Sequence, residues 1–210
     1  MPAVLLHTNT SIRLNLMEIK CIAIVGASSL GRRIAHSAAL AGFRTILEDI
    51  SPLALEQGRA WVAGALAEDV ARGNCDLAAR EAALEMLATA NSAEAASREA
   101  DLIIETASDE MEMKLELFTI FDKFAKPGAI FASTSASLSI SELASVTACP
   151  ERCIGMRFFE DALDLGRLEL VKGCGTSEET LAACLEAGRR MGRTVSILQD
   201  HHVLSAGGGD

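Results

Sequence analysis

The feature that most constrains this chain lies near its start. The unbroken apolar run Cys21-Ile22-Ala23-Ile24-Val25 passes directly into Gly26-Ala27-Ser28-Ser29-Leu30-Gly31, and residues 32–40 then carry a helical pattern. Five apolar residues without alternation predict a strand buried on both faces. Such a strand sits in a parallel sheet covered by helices, and its neighbour is reached through a helical crossover. The rest of the chain repeats that alternation.

Gly42 stops the first helix, and Thr45-Ile46-Leu47 supplies the second strand. Ser51 and Pro52 read as a hydroxyl cap followed by proline at the first helical position, with a helix to about Arg72. A second helix near 76–85 and a short strand near 87–89 follow. Residues 101–105 form the next strand, and Met113, Leu117, Phe121 and Phe124 mark one face of the helix after it. Residues 129–132 are another buried strand. Ser139 with Glu142, and Thr176 with Glu179, have capping-box spacing. Strands are predicted at 154–158, 168–171 and 194–198, and Leu181, Cys184, Leu185 and Gly188 give the last helix its packed face. The sum is an α/β chain with a Rossmann-type, doubly wound, mostly parallel sheet. Residues 1–18 read as an N-terminal extension, 19–200 as the Rossmann domain and 201–210 as a tail.

The strand–turn–helix at 21–40 carries a degraded form of the dinucleotide fingerprint GxGxxG. The first glycine permits the tight turn, the second lets backbone approach the pyrophosphate, and the third lets the helix pack close. Here the second is Ser28. A side chain at that point either crowds the pyrophosphate or donates its hydroxyl to it. Asp49 ends the second strand 23 positions after Gly26. A carboxylate there accepts from ribose hydroxyls and repels a 2′-phosphate, which favours NAD over NADP. Glu48 is the alternative acceptor.

Composition narrows the partners. The net charge is −10 and no Lys/Arg cluster offers a face for nucleic acid. The six cysteines include no CxxC pair, and Cys149 and Cys153, spaced CxxxC, have no histidine to complete a zinc set, so they read as reduced thiols of a cytoplasmic protein without metal. Neither a signal peptide nor a membrane span is visible in residues 1–19.

In order along the chain, IAIVGASSLGRRIAHSAALAGF, ADLIIETASDEMEMKLELF, FASTSASLSISELA, ERCIGMRFF and LELV resemble the NAD-binding domain of the 3-hydroxyacyl-CoA dehydrogenases over roughly residues 20–200. The resemblance implies NAD as cofactor and oxidation of a 3-hydroxyacyl-CoA to its 3-oxo form. It implies a histidine base on the strand GxHFFNP, a glutamate twelve positions later, and a serine and an asparagine at the reacting oxygen. Here the histidine position is Arg157, the glutamate is Glu169, the serine position is Ala136 between Ser135 and Ser137, and the asparagine after the two phenylalanines is Glu160. Arginine stays protonated and cannot act as that base. An Arg157–Glu169 ion pair is expected instead. Asp109, Lys114 and Thr134 match positions near the nicotinamide ribose, and Arg72 is the one basic match for the acyl-CoA side. The helical domain that follows in the family has no counterpart here.

These readings predict an NAD(H)-binding protein lacking the usual dehydrogenase activity, with a sensing, regulatory or subunit role. The alternatives are an active oxidoreductase that uses other groups or a partner chain, and a structural module without nucleotide. An acyl-CoA or another anionic small molecule is the expected second ligand, and apolar surface left uncovered favours self-association or a partner subunit. His201 and His202 read as part of the tail, and His36 as a packing or surface residue.

Overall fold

In the computed structural model, which describes residues 17–159 and 166–200, the apolar runs become eight strands. They are β1 (Cys21–Val25), β2 (Arg44–Glu48), β3 (Leu87–Ala90), β4 (Leu102–Glu105), β5 (Ile130–Ser133), β6 (Cys153–Phe158), β7 (Arg167–Lys172) and β8 (Thr194–Gln199). One sheet holds them in the order β3-β2-β1-β4-β5-β6-β7-β8. The ladder between β6 and β7 is antiparallel, and the others are parallel. The order of travel reverses between β1 and β4, which opens a crevice at the carboxyl ends of those two strands.

Among the described residues, seven α-helices cover the sheet: α1 (Ser29–Leu40), α2 (Pro52–Arg72), α3 (Leu77–Met86), α4 (Ala93–Glu99), α5 (Met111–Phe124), α6 (Ile140–Ala144) and α7 (Glu178–Arg190). Alternate residues of β1 supply the two faces. Ile22 and Ile24 join Ile34, Val62, Leu66 and Cys184 beneath α1, α2 and α7. Cys21, Ala23 and Val25 join Ala96, Phe118 and Phe121 beneath α4 and α5. Burial on both faces is why β1 lacks any polar residue.

Local chemistry sets the helix ends. Ser51 Oγ accepts from Ala54 N at 3.3 Å, Pro52 begins α2, and Gly73 ends it in the left-handed region at φ 75°. Asp76 caps α3 through Ala79 N at 2.8 Å.

Four sequence expectations change. Helix α1 begins at Ser29 rather than at residue 32, because Ser28 caps it. Ser177, not Thr176, caps α7, accepting from Thr180 N at 3.1 Å. Thr176 is spent elsewhere: its hydroxyl donates to Cys153 O at 2.6 Å and accepts from Gly173 N at 2.9 Å. The buried stripe of α5 is Lys114, Phe118 and Phe121, while Met113 is exposed. The alanine-rich α4 was not expected at all. Residues 1–16, Glu160 and the tail with His201 and His202 lie outside the described residues.

Burial decides the reactivity of the thiols. It pushes Cys153 and Cys184 up to about 12, whereas Cys174 is exposed. A disulfide dye at about pH 8 is expected to label Cys174 in the native chain and to reach Cys153 and Cys184 only on unfolding. Native labelling of Cys184 at the rate of Cys174 contradicts this packing.

Candidate cofactor and ligand site

The glycine turn closes the carboxyl end of β1. Gly26 has φ 112°, and a Cβ there meets Thr106 Oγ1 at 2.8 Å. A Cβ on Gly31 falls 2.0 Å from Gly26 O, so α1 packs against the turn only because residue 31 has no side chain. Thr106 secures the other side, its hydroxyl lying 2.9 Å from Gly26 O and 3.1 Å from Val25 O. Ser28 is different. Its backbone is extended at φ −62°, ψ 175°, which any residue adopts, and its Oγ accepts from Gly31 N at 3.2 Å. The hydroxyl hydrogen of Ser28 therefore remains a donor to whatever lies over the turn. Ser28 and Ser29 are exposed, Leu30 half-buried and Ala27 buried.

Asp49 ties this turn to the end of β2. Its Oδ2 accepts from Ala27 N at 3.0 Å and its Oδ1 from Ser51 N at 2.9 Å. Each oxygen keeps further acceptor capacity, and the residue is half-buried beside the crevice. Glu48 is 3 % exposed. Burial, then the charges of Asp49 and Glu94, push its carboxyl up to about 7 against the pull of the Gly26 amide.

At β4 the sequence reading missed the central group. Glu105, 0 % exposed, takes Lys114 Nζ on both oxygens at 2.8 and 2.7 Å, Ser133 Oγ at 2.8 Å and Ala107 N at 2.5 Å. Lys114 adds a bond to Ala107 O at 3.2 Å and lies 3.8 Å from Asp109. Lys114 is thus buried against Glu105 instead of standing open to the crevice. Asp109 is 43 % exposed in its side chain and accepts from Ser137 Oγ at 2.6 Å. Burial raises its pKa, but hydrogen bonds from Ser135 and Ser137 and the charge of Lys114 outweigh that and hold it below the usual carboxylate range. Thr134 follows β5 half-buried, its N–H on Glu105 O at 3.1 Å. The apolar strand 102–104 ending in a glutamate, with a lysine nine residues on, was the available signal for this pair.

The Arg157–Glu169 pair is corrected. The two residues are directly opposite in the β6–β7 ladder. Yet Arg157 Nε donates to Ser135 O at 2.9 Å, and Glu169 Oε1 receives Arg167 Nη2 at 2.9 Å. Arg167 is two residues from Glu169 on the same strand and face, and it takes the carboxylate first. Arg72 pairs with Glu68 one turn back at 3.1 Å on the exposed end of α2. His36 Nε2 lies 2.8 Å from Asp69 Oδ2, away from the crevice.

The profile of the family described as "3-hydroxyacyl-CoA dehydrogenase, NAD binding domain" matches residues 21–201. This chain belongs to the 3-hydroxyacyl-CoA dehydrogenase family. It is 36 % identical over 182 residues to 3-hydroxybutyryl-CoA dehydrogenase of Bradyrhizobium diazoefficiens, covering 87 % of this chain and 62 % of that protein. It is 34 % identical to a probable 3-hydroxybutyryl-CoA dehydrogenase of Bacillus subtilis, covering 88 % and 64 %. The crystal structure of (S)-3-hydroxybutyryl-CoA dehydrogenase from Ralstonia eutropha superposes with a TM-score of 0.82 at 30 % identity, over 87 % of this chain and 64 % of that one. The chain therefore spans less than two thirds of the length of these dehydrogenases.

The cofactor of this 3-hydroxyacyl-CoA dehydrogenase domain is NAD. The residues present fit a dinucleotide: Gly26 and Gly31 allow the tight turn and the close packing of α1 against it, Ser28 presents a donor, and Asp49 keeps acceptor capacity beside the turn. Among the described residues no group of His, Cys, Asp and Glu is placed to hold a metal, and no helix is long and apolar enough to cross a membrane.

Two stability predictions follow from the buried charges. With its carboxyl near 7 in the fold and 4.5 as the ordinary value, Glu48 keeps its proton in the folded state while the unfolded chain loses it. It thus destabilises progressively as pH rises between those values, by roughly 3 kcal/mol at most. Glu48→Gln is expected to flatten that decline and raise stability above pH 7, measured by urea unfolding at several pH values. Lys114→Met leaves Glu105 buried without its cation and is expected to cost about 3–5 kcal/mol, with part recovered in the double variant with Glu105→Gln.

Proposed function

We propose that this chain binds NAD(H) in the crevice between β1 and β4 and does not itself perform the proton-coupled hydride transfer of its relatives, serving instead as a redox-sensing, regulatory or subunit protein. The observation that carries the reading is Arg157. It occupies the position of the family's base, stays charged at any physiological pH, and its partner glutamate is engaged by Arg167.

The protein's part in binding is local. Gly26 and Gly31 keep the turn low enough for a pyrophosphate, Ser28 and the first-turn amides of α1 donate to it, and Asp49 accepts from the adenosine ribose. Asp109 and Thr134 stand on the nicotinamide side. When bound, the cofactor supplies a hydride acceptor or donor at its nicotinamide ring. Ala136 offers no hydroxyl to a substrate oxygen there, although Ser137 beside it does. The exposed Ile50, Leu53 and Met113, which follow the carboxyl ends of β2 and β4, support covering by a second copy or a partner subunit.

A second reading, an active oxidoreductase, has one observation in its favour. The ionised Asp109 lies 2.6 Å from the Ser137 hydroxyl, an arrangement able to draw a proton through serine. Titration of NADH by fluorescence and absorbance assays with acetoacetyl-CoA separate the two. Saturable NADH binding is expected, weakened about 10-fold or more by Asp49→Ala as charge-assisted hydrogen bonds are lost. No turnover above buffer is expected, and Arg157→His is expected to restore none because Ala136 remains. Turnover that tracks the protein and disappears in Ser137→Ala establishes the oxidoreductase instead, and absence of saturable NADH binding leaves a structural module.

A further inference from the structure

Arg157 has no acid–base task in this reading, and its surroundings give it another. Its Nε is bonded to Ser135 O, which uses one of five N–H donors. Among the described residues, the terminal nitrogens make no hydrogen bond or ion pair, although Glu169 is the opposite residue in the ladder. The anchor is rigid. Ser135 is 3 % exposed, its N–H is on Ser133 Oγ at 3.2 Å, and its hydroxyl accepts from Ser137 N at 3.3 Å and Leu138 N at 2.9 Å. A half-buried guanidinium is thereby fixed at one nitrogen and, among the described residues, uncompensated at its fork, at the carboxyl end of β6.

We propose that Arg157 makes this position the seat of a small carboxylate, so that the second ligand of the chain is a short hydroxy or oxo acid rather than an acyl thioester; the proposal rests on the reading above and names its ligand class. A planar fork with parallel donors matches the two oxygens of a carboxylate. A thioester carbonyl carries no charge to meet the guanidinium. A phosphate dianion is disfavoured by the ionised Asp109, which reaches the same loop through Ser137.

Calorimetric titration of the 210-residue chain with acetoacetate, with and without NADH, tests the assignment. Binding is expected in the wild type, about 10-fold or more weaker in Arg157→Gln and intermediate in Arg157→Lys, with the fold of each variant checked by circular dichroism. The neutral isostere acetoacetamide is expected to give no saturable heat, and inorganic phosphate to bind more weakly than acetoacetate. Equal binding of acetoacetate and acetoacetamide, equal affinity in a folded Arg157→Gln, tighter binding of phosphate, or no acetoacetate binding overturns the proposal. The amide and phosphate arms need no variant. The titration without NADH reads Arg157 independently, so loss of cofactor binding, which sinks the proposed function, is distinguished from loss of the carboxylate seat.

Discussion

The buried pair Lys114–Glu105 organises the end of the molecule where the crevice lies. Glu105 is the last residue of β4, and its oxygens gather Lys114 from α5, Ser133 from β5 and the amide of Ala107. A carboxylate removed from water is costly unless its lone pairs are filled, and here four N–H or O–H donors fill them. That requirement fixes where β4 ends. Thr106 follows at once, and its hydroxyl contacts the carbonyls of Val25 and Gly26. The turn that approaches a dinucleotide is thus held from β4 as well as by its own helix. Lys114 also faces Asp109, and Asp109 holds Ser137, so one ion pair reaches the loop after β5 through two exposed residues.

Departures from the family pattern fall unevenly on the two halves of this crevice, and backbone geometry explains why. In the cofactor half the requirement for glycine is steric at residues 26 and 31, where a Cβ collides with Thr106 or with Gly26 O, and both glycines are present. At residue 28 the dihedral angles are open to any residue, and serine converts a bare backbone position into a helix cap with a free hydroxyl hydrogen. In the reactive half the replaced groups are chemical. Arginine for histidine changes charge and proton affinity while leaving the strand undisturbed, because Arg157 needs only the ladder and a carbonyl acceptor. The fold of the domain therefore accepts an arginine at this position without rearrangement.

Strands β1, β4 and β5 were legible because burial on both faces leaves an unbroken apolar run, which has one reading when glycine or a capping residue bounds it. Helix α4 was not, since Ala93, Ala96 and Ala100 are buried by small size against β1 and carry little periodic signal. The face of α5 was misread because Lys114 counts as polar, whereas its burial depends on Glu105, nine residues away in another element. That Gly26, Gly31 and Asp49 meet around one turn was legible from spacing alone. Arg157 and Glu169 were expected to form an ion pair; they do lie opposite in the ladder, but pairing is a competition, and Arg167 is nearer in sequence and on the same strand. Residue spacing locates candidates for a contact, and only packed geometry ranks them.

The charge distribution adds a constraint of its own. With a formal net charge of −10, this chain presents any anion with a repulsive far field. Asp49 adds negative charge at the adenosine end of the crevice, where it helps to hold the proton on Glu48, and Asp109 adds it at the other. An anionic ligand must be held by short-range donors: the amides and hydroxyls of the turn at one end, a guanidinium at the other. Short-range donors discriminate by shape, since a hydrogen bond weakens steeply with angle while a net charge does not. A site of this kind attracts anions slowly and selects among them strictly. In the function proposed for this chain, the fork of Arg157 and the hydroxyl of Ser28 are such donors, and no basic surface gathers the ligand.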